Sequence, residues 1–288
     1  MNRVKIFILC VFLIRTVPVF AAGHYVAGVE GIEAATVPPP GLYYLAYLVN
    51  YNIKEISGVP GNNSGTVSAL VNRFIWIGKM RFLGADVGVE ADLPVLANSL
   101  TFNGNGYSGT SRGLGDILLG PLLAWHGSKW DTSFSIQETF DTGSYSAANP
   151  SSVGHGYDTT LFTVGGTYYP DQKRKWSLSA LMRFEKNSMQ SQTHITPGDG
   201  FTLEWGVGRE IGGGKKVGLV GYYQAQTSNN SGPAANPLNP RKSGIGVEFD
   251  YPIPDNGLFL KFAGYTEYSA SRGATKGNLL RMTFAKVF

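Results

Sequence analysis

Among the 288 residues there is one cysteine, Cys10, and it lies within the first 21 residues. A chain that loses this stretch has no disulfide framework and no thiol chemistry. After residue 22 there is no continuous run of about eighteen apolar residues, which excludes a transmembrane helix. Charge is also scarce, at 15 % of the sequence. The formal net charge of +4 is mostly contributed by Arg3, Lys5 and Arg15. Without those three, 21 basic residues face 20 acidic ones, so there is no clustered basic face of the kind nucleic acid needs.

Glycine and aromatics are plentiful. Glycine occurs 38 times, about twice its usual share, and aromatics make up 12 %. The mean hydropathy of −0.06 is that of a chain alternating polar with apolar residues. This mixture suits many strands joined by glycine-rich turns. Residues 1–21 read as a secretory leader: a basic start, an apolar core from Ile6 to Ile14, and the small-residue ending Val19-Phe20-Ala21. Cleavage fits equally after Ala21 or Ala22. Cys10 lacks the preceding small residues of a lipoprotein signal.

Residues 22–40 form a lead-in without strong period, closed by Pro38, Pro39 and Pro40, which cannot donate to a ladder. Two placements are open, a plug inside a barrel or an ordered periplasmic tail. From Gly41 onward, twelve strands are expected: 41–53, 66–77, 82–93, 113–125, 129–140, 157–169, 174–186, 200–210, 215–226, 243–251, 257–268 and 278–288. Long polar connections (54–65, 94–112, 141–156, 187–199, 227–242, 269–277) alternate with short turns (78–81, 126–128, 170–173, 211–214, 252–256). That alternation belongs to a barrel with long outer loops and tight periplasmic turns.

Side-chain parity points the same way. In the first strand Tyr43, Leu45, Tyr47, Val49, Tyr51 and Ile53 share one face. Later strands set Trp176, Leu178, Ala180, Met182 and Phe184 against Arg183 and Glu185, and Ile245, Val247, Phe249 and Tyr251 against Glu248 and Asp250. A basic residue facing lipid at mid-depth costs about 2–4 kcal/mol, so the charged parity is expected to face the lumen. On this assignment the pore-lining residues are Asp86, Glu90, Asp92, Arg183, Glu185, Glu204, Glu248, Asp250, Lys261, Glu267 and Arg281. The acid excess disfavours an anion pore. These charges either pair to rigidify the lumen or form a polar track, and one ladder can do both. Trp125, Trp130, Tyr168, Tyr169 and Trp176 gather near the short turns as an interfacial girdle would.

Several motifs resemble the MetA-pathway of phenol degradation family: Pro38-Pro39-Pro40-Gly41-Leu42-Tyr43, Phe82-Leu83-Gly84-Ala85-Asp86, Gly113-Leu114-Gly115-Asp116, Gly165-Gly166-Thr167-Tyr168-Tyr169-Pro170 and Thr196-Pro197-Gly198-Asp199. Phe201-Thr202-Leu203-Glu204-Trp205-Gly206-Val207-Gly208 and Gly221-Tyr222-Tyr223-Gln224 extend the likeness from about Pro38 to Phe288. The resemblance implies an outer-membrane transporter, in some members encoded beside genes for degrading aromatic compounds. The carboxy-terminal Phe288 likewise resembles the signal that hands such barrels to their assembly machinery.

The expectation is therefore an all-β protein, a transmembrane antiparallel up-and-down β-barrel of about twelve strands in a Gram-negative outer membrane, with both chain ends in the periplasm. The expected partners are outer-membrane lipid, the barrel assembly machinery acting on the Phe288 strand, and a small hydrophobic or aromatic substrate, with no nucleic acid. Rival readings are a structural or surface-interaction barrel with a blocked lumen, and a lipid hydrolase built on His126-Gly127-Ser128. The hydrolase is disfavoured because that motif falls in a periplasmic turn. No catalytic residue, cofactor or metal is expected, since His24, His155 and His194 lack ligand spacing.

Overall fold

The computed structural model describes residues 23–288 apart from Asn105, Ala234, Pro254 and Asp255, so the expected leader lies outside the described residues. Thirteen strands and no helix form among them. They are β1 (Gly41–Ile56), β2 (Asn63–Phe82), β3 (Ala85–Phe102), β4 (Tyr107–Leu114), β5 (Ile117–His126), β6 (Trp130–Phe140) and β7 (Thr159–Tyr168). The rest are β8 (Trp176–Asn187), β9 (Gly200–Gly212), β10 (Lys215–Gln226), β11 (Arg241–Ile253), β12 (Leu258–Ser271) and β13 (Thr275–Val287). Sequence neighbours pair antiparallel except β4 with β5, both of which pair with β3, and β13 pairs with β1 from Tyr43↔Val287 to Ile56↔Thr275, which closes the ring.

β4 and β5 pair with successive parts of β3, so together they make one stave of a twelve-stave barrel. The break falls at Gly115 and Asp116. There the Gly115 amide donates to the Pro94 carbonyl, and the Asp116 carboxylate accepts from the backbone amides of Thr142 and Gly143. Closure pairs both edges of every strand except β4, whose only partner is β3, so the ring itself has no open edge, the condition for a β structure in lipid.

Turn chemistry sets where strands end. The β2–β3 hairpin turns on Leu83 and Gly84, with φ of 51° and 79°, the paired positive values of a type I′ turn. β2 therefore runs to Phe82, past the expected turn at 78–81. In the β7–β8 turn, Asp171 accepts backbone amides from Lys173, Lys175 and Trp176 at 2.8–3.0 Å. The bonds from Lys175 and Trp176 hold its carboxyl below the usual aspartate range.

At the other mouth the expected loop 94–112 is largely strand, because β3 reaches Phe102 and β4 begins at Tyr107. The loops 54–65 and 269–277 shrink in the same way, to 57–62 and 272–274. The ends of β1, β2, β12 and β13 are mostly polar, and at the top of β3 the inward Leu100 and Phe102 come after Pro94 and Asn98, which read as a loop.

The outward parity carries Leu48, Trp76, Val89, Leu178, Phe184, Val247 and Leu280, all exposed, and the inward parity carries the buried charges. β1 departs from the charged-inward rule. Its Tyr43, Tyr47, Val49, Tyr51 and Ile53 are buried and face inward, while Leu42, Leu48, Asn50 and Asn52 face out. An apolar inward face is stable only if something dry covers it, and residues 23–40 do. In the girdle, Trp130, Tyr168 and Trp176 are exposed, but Tyr169 turns inward and donates its hydroxyl to Asp131 at 3.0 Å.

Candidate functional site

The site is the lumen and the chain segment lying in it. At the long-loop mouth His24 meets Thr159, the first residue of β7, and the Tyr25 amide donates to Glu185 at 2.9 Å. At mid-height Glu30 lies between Arg73 and Arg183. Nearer the short-turn mouth Glu33 pairs with Lys216 at 2.6 Å, and the Thr36 hydroxyl donates to Thr167 at 2.9 Å. Residue 23 thus sits at the loop mouth and Gly41 at the turn mouth. The described amino end is therefore opposite the expected periplasmic placement, while Phe288 stays beside β1, its amide donating to the Leu42 carbonyl.

One flank of this passage is charged. Glu30 accepts from Arg73 at 3.0 Å and from Arg183 at 2.7 Å. Arg73 also reaches Glu90 at 2.9 Å and Asp92 at 3.9 Å, and Arg183 comes within 3.9 Å of Glu204. The Tyr25 ring packs under the Arg183 guanidinium at 4.0 Å, and its hydroxyl donates to Glu204. Burial raises the cost of ionising Glu30, and the two guanidiniums beside it offset that cost. A charge taken out of water persists only when paired in this way.

Further round, Arg281 pairs with Glu248 and donates to the Val29 carbonyl, while Lys261 bridges Glu248 and Asp250 at 3.6 and 3.2 Å. Glu267 accepts from Tyr51, Tyr222 and the Gly277 amide, and faces Lys242 at 2.9 Å.

The other flank is apolar. Ala27 and Ile32 of the segment are buried against Tyr47, Val49, Tyr51, Val220, Tyr222, Tyr265 and Leu279. Ile32 fits over three wall glycines. A Cβ on Gly208 would stand 2.5 Å from the Ile32 side chain, and one on Gly206 would stand 2.8 Å from the Gly31 carbonyl.

Ten of the eleven charges expected to line the lumen are accounted for in these contacts. Asp86 is the exception: it lies low in the barrel beside Arg81, at 3.2 Å. Sequence reasoning misses Glu30 and Glu33, which have no strand parity, Arg73 and Lys216, whose nearest inward neighbours are apolar or small, and Lys242, which falls in the expected loop 227–242 but begins β11 on the parity of Glu248 and Asp250. Arg73 follows Val67, Ala69 and Val71 on one parity, and a lone base in that row was the available signal. Glu30 and Glu33 enter with these cations, so the lumen goes from eight acids against three bases to ten against six and stays acidic. His126 is turned to a carboxylate of β6. Its Nδ1 lies 3.2 Å from Asp131, which also holds Arg174 at 3.0 Å, and the Ser128 carbonyl accepts from Arg174. His24 and His155, far apart in sequence, converge on Asp116.

The sequence profile of the family described as "Putative MetA-pathway of phenol degradation" matches residues 49–284, most of the barrel. The chain belongs to this family. No curated protein matches the sequence. Among solved structures, this family member is similar to an outer membrane channel from Pseudomonas putida F1, with a TM-score of 0.77 at 12 % identity. The match covers 88 % of this chain and 97 % of the channel. The β domain of the Bordetella autotransporter BrkA follows with a TM-score of 0.53 at 15 % identity, covering 87 % and 100 %. The transport unit of the Escherichia coli autotransporter AIDA-I gives 0.52 at 9 % identity, covering 87 % and 91 %. At these identities the likeness is one of fold: the protein is an outer-membrane β-barrel.

Proposed function

We propose that this barrel conducts small hydrophobic or aromatic molecules across the outer membrane, along the tyrosine-lined flank of the lumen. The observation that carries this reading is the inward apolar face of β1 and its neighbours, where Tyr47, Tyr51, Tyr222 and Tyr265 stand together. A water-filled general pore has no use for such a face, whereas apolar solutes gain by burial against it. A barrel of about twelve strands is intermediate between those filled by side chains and those with an open channel, so a ligand-sized path fits its width. The charged flank then anchors the segment 23–40 as a plug, and the lumenal acids and bases line what passes.

The segment also favours a second reading, a structural or surface-binding barrel with a blocked lumen. Uptake into proteoliposomes of a labelled small aromatic and of a hydrophilic sugar of similar mass separates the readings. Faster entry of the aromatic alone is the expected result. Equal entry of both would mean a general narrow pore, and entry of neither would mean the blocked barrel.

A further inference from the structure

We propose that His24, Asp116 and His155 form a binding site for one divalent transition-metal ion of the zinc type. The three ligand atoms, His24 Nε2, His155 Nδ1 and one Asp116 carboxylate oxygen, lie within 4.8 Å of one another. Asp116 Oδ2 is 2.9 Å from His24 Nε2 and 3.0 Å from His155 Nδ1. Ligands around a tetrahedral zinc stand about 3.3 Å apart for bonds near 2.0 Å, so the two Asp116 distances need to open only slightly and the two imidazole nitrogens already lie within 4.8 Å of each other. Imidazole nitrogen with carboxylate oxygen is a donor set that zinc accepts.

Hydrogen-bond bookkeeping favours a cation at this point. The Asn187 side-chain amide donates to the Gly198 carbonyl at 2.9 Å, which turns its Oδ1 toward Thr159. Thr159 spends its single hydroxyl proton on that oxygen, at 2.7 Å. The Thr159 oxygen, 2.7 Å from His24 Nδ1, is left to accept, so Nδ1 carries the proton. In the neutral ring Nε2 is then a lone pair aimed at an anionic oxygen that already accepts the His155 backbone amide. A second imidazole, its ring centre 4.2 Å from the first, is directed at the same oxygen. Two imidazolium ions so close would repel, whereas one metal ion satisfies both nitrogens and the carboxylate together. The Nδ1–H bond to the Thr159 hydroxyl stands where a metal-binding histidine commonly has a carboxylate, carbonyl or water as its outer support.

Placement suits a reversible site. The His24 and Asp116 side chains are 7 % and 2 % exposed, whereas His155 is 36 % exposed. Three protein ligands leave one position open on that exposed side, where ions exchange with the medium. The ion would tie the lumenal segment, the β4–β5 break and the loop 141–158 together at one point.

The test is calorimetric titration of the chelator-treated full-length protein, in detergent, with zinc chloride. One equivalent per chain is expected to bind. His24→Gln and His155→Gln should each abolish that binding, Thr159→Val should weaken it about 10–100-fold as loss of an outer partner does, and His194→Gln should leave it unchanged. Failure of the wild type to bind zinc, or binding unaltered in both His24→Gln and His155→Gln, would overturn the site. X-ray absorption of the zinc-loaded wild type gives an answer independent of variant folding: two imidazole nitrogens in the shell are expected, and a shell without imidazole would refute the assignment.

Discussion

At the scale of single residues, the lumen is held by charges that water cannot reach. The Arg281 and Glu248 side chains are both fully buried, and they meet in a direct ion pair. Removing one member of such a pair leaves the other uncompensated and costs about 3–5 kcal/mol, whereas removing both for apolar groups costs far less. Arg281→Met is therefore expected to lower unfolding stability by about that amount in a urea titration of the reconstituted barrel, and Glu248→Leu added to it should recover most of the loss. A single variant as stable as the wild type would show that the pair carries no such burden. Arg183, 7 % exposed, is shared between segment and wall, so its loss leaves Glu30 with Arg73 alone.

At the scale of elements, alternation was readable wherever a strand has lipid on one side and charge on the other. β8 and β11 are such strands, and their outward residues stand as parity placed them. β1 was readable as a strand but not in its orientation, because its inward residues meet the chain's own residues 23–40 rather than water. The tops of β3 and β4 escaped because Pro94, Asn98, Gly109 and Gly113 read as loop residues, although β4 alternates in burial along its whole length. The contacts of Glu30 with Arg73 and of His24 with Asp116 join positions far apart in the chain and leave no local trace. Residues 23–40 behave as an element without regular hydrogen bonding, seated by Ile32 over Gly206 and Gly208. Deleting residues 24–37 is expected to raise single-channel conductance several-fold in planar bilayers while the far-UV β signal persists. An unchanged conductance would mean that the segment does not limit flow.

At the scale of the whole molecule, the ring is a wall between lipid and an interior that is half charged and half aromatic. Val247, 59 % exposed on the outer face, should be intolerant of charge. Val247→Arg is expected to cost about 2–4 kcal/mol if that position lies near mid-depth, measured as a shift in the unfolding midpoint in lipid vesicles. The same change in detergent should cost less, because a micelle adapts around the side chain. Equal losses in both media would argue against lipid contact at this position.

The lumenal segment is joined to its own wall at Gly41, and that one peptide bond makes its seat an intramolecular equilibrium. A short tether acts as a local concentration in the millimolar range, so contacts too weak to hold a free peptide still keep the segment home most of the time. Each departure is then brief and self-reversing. A solute following the proposed path would have to displace an occupant that cannot diffuse away.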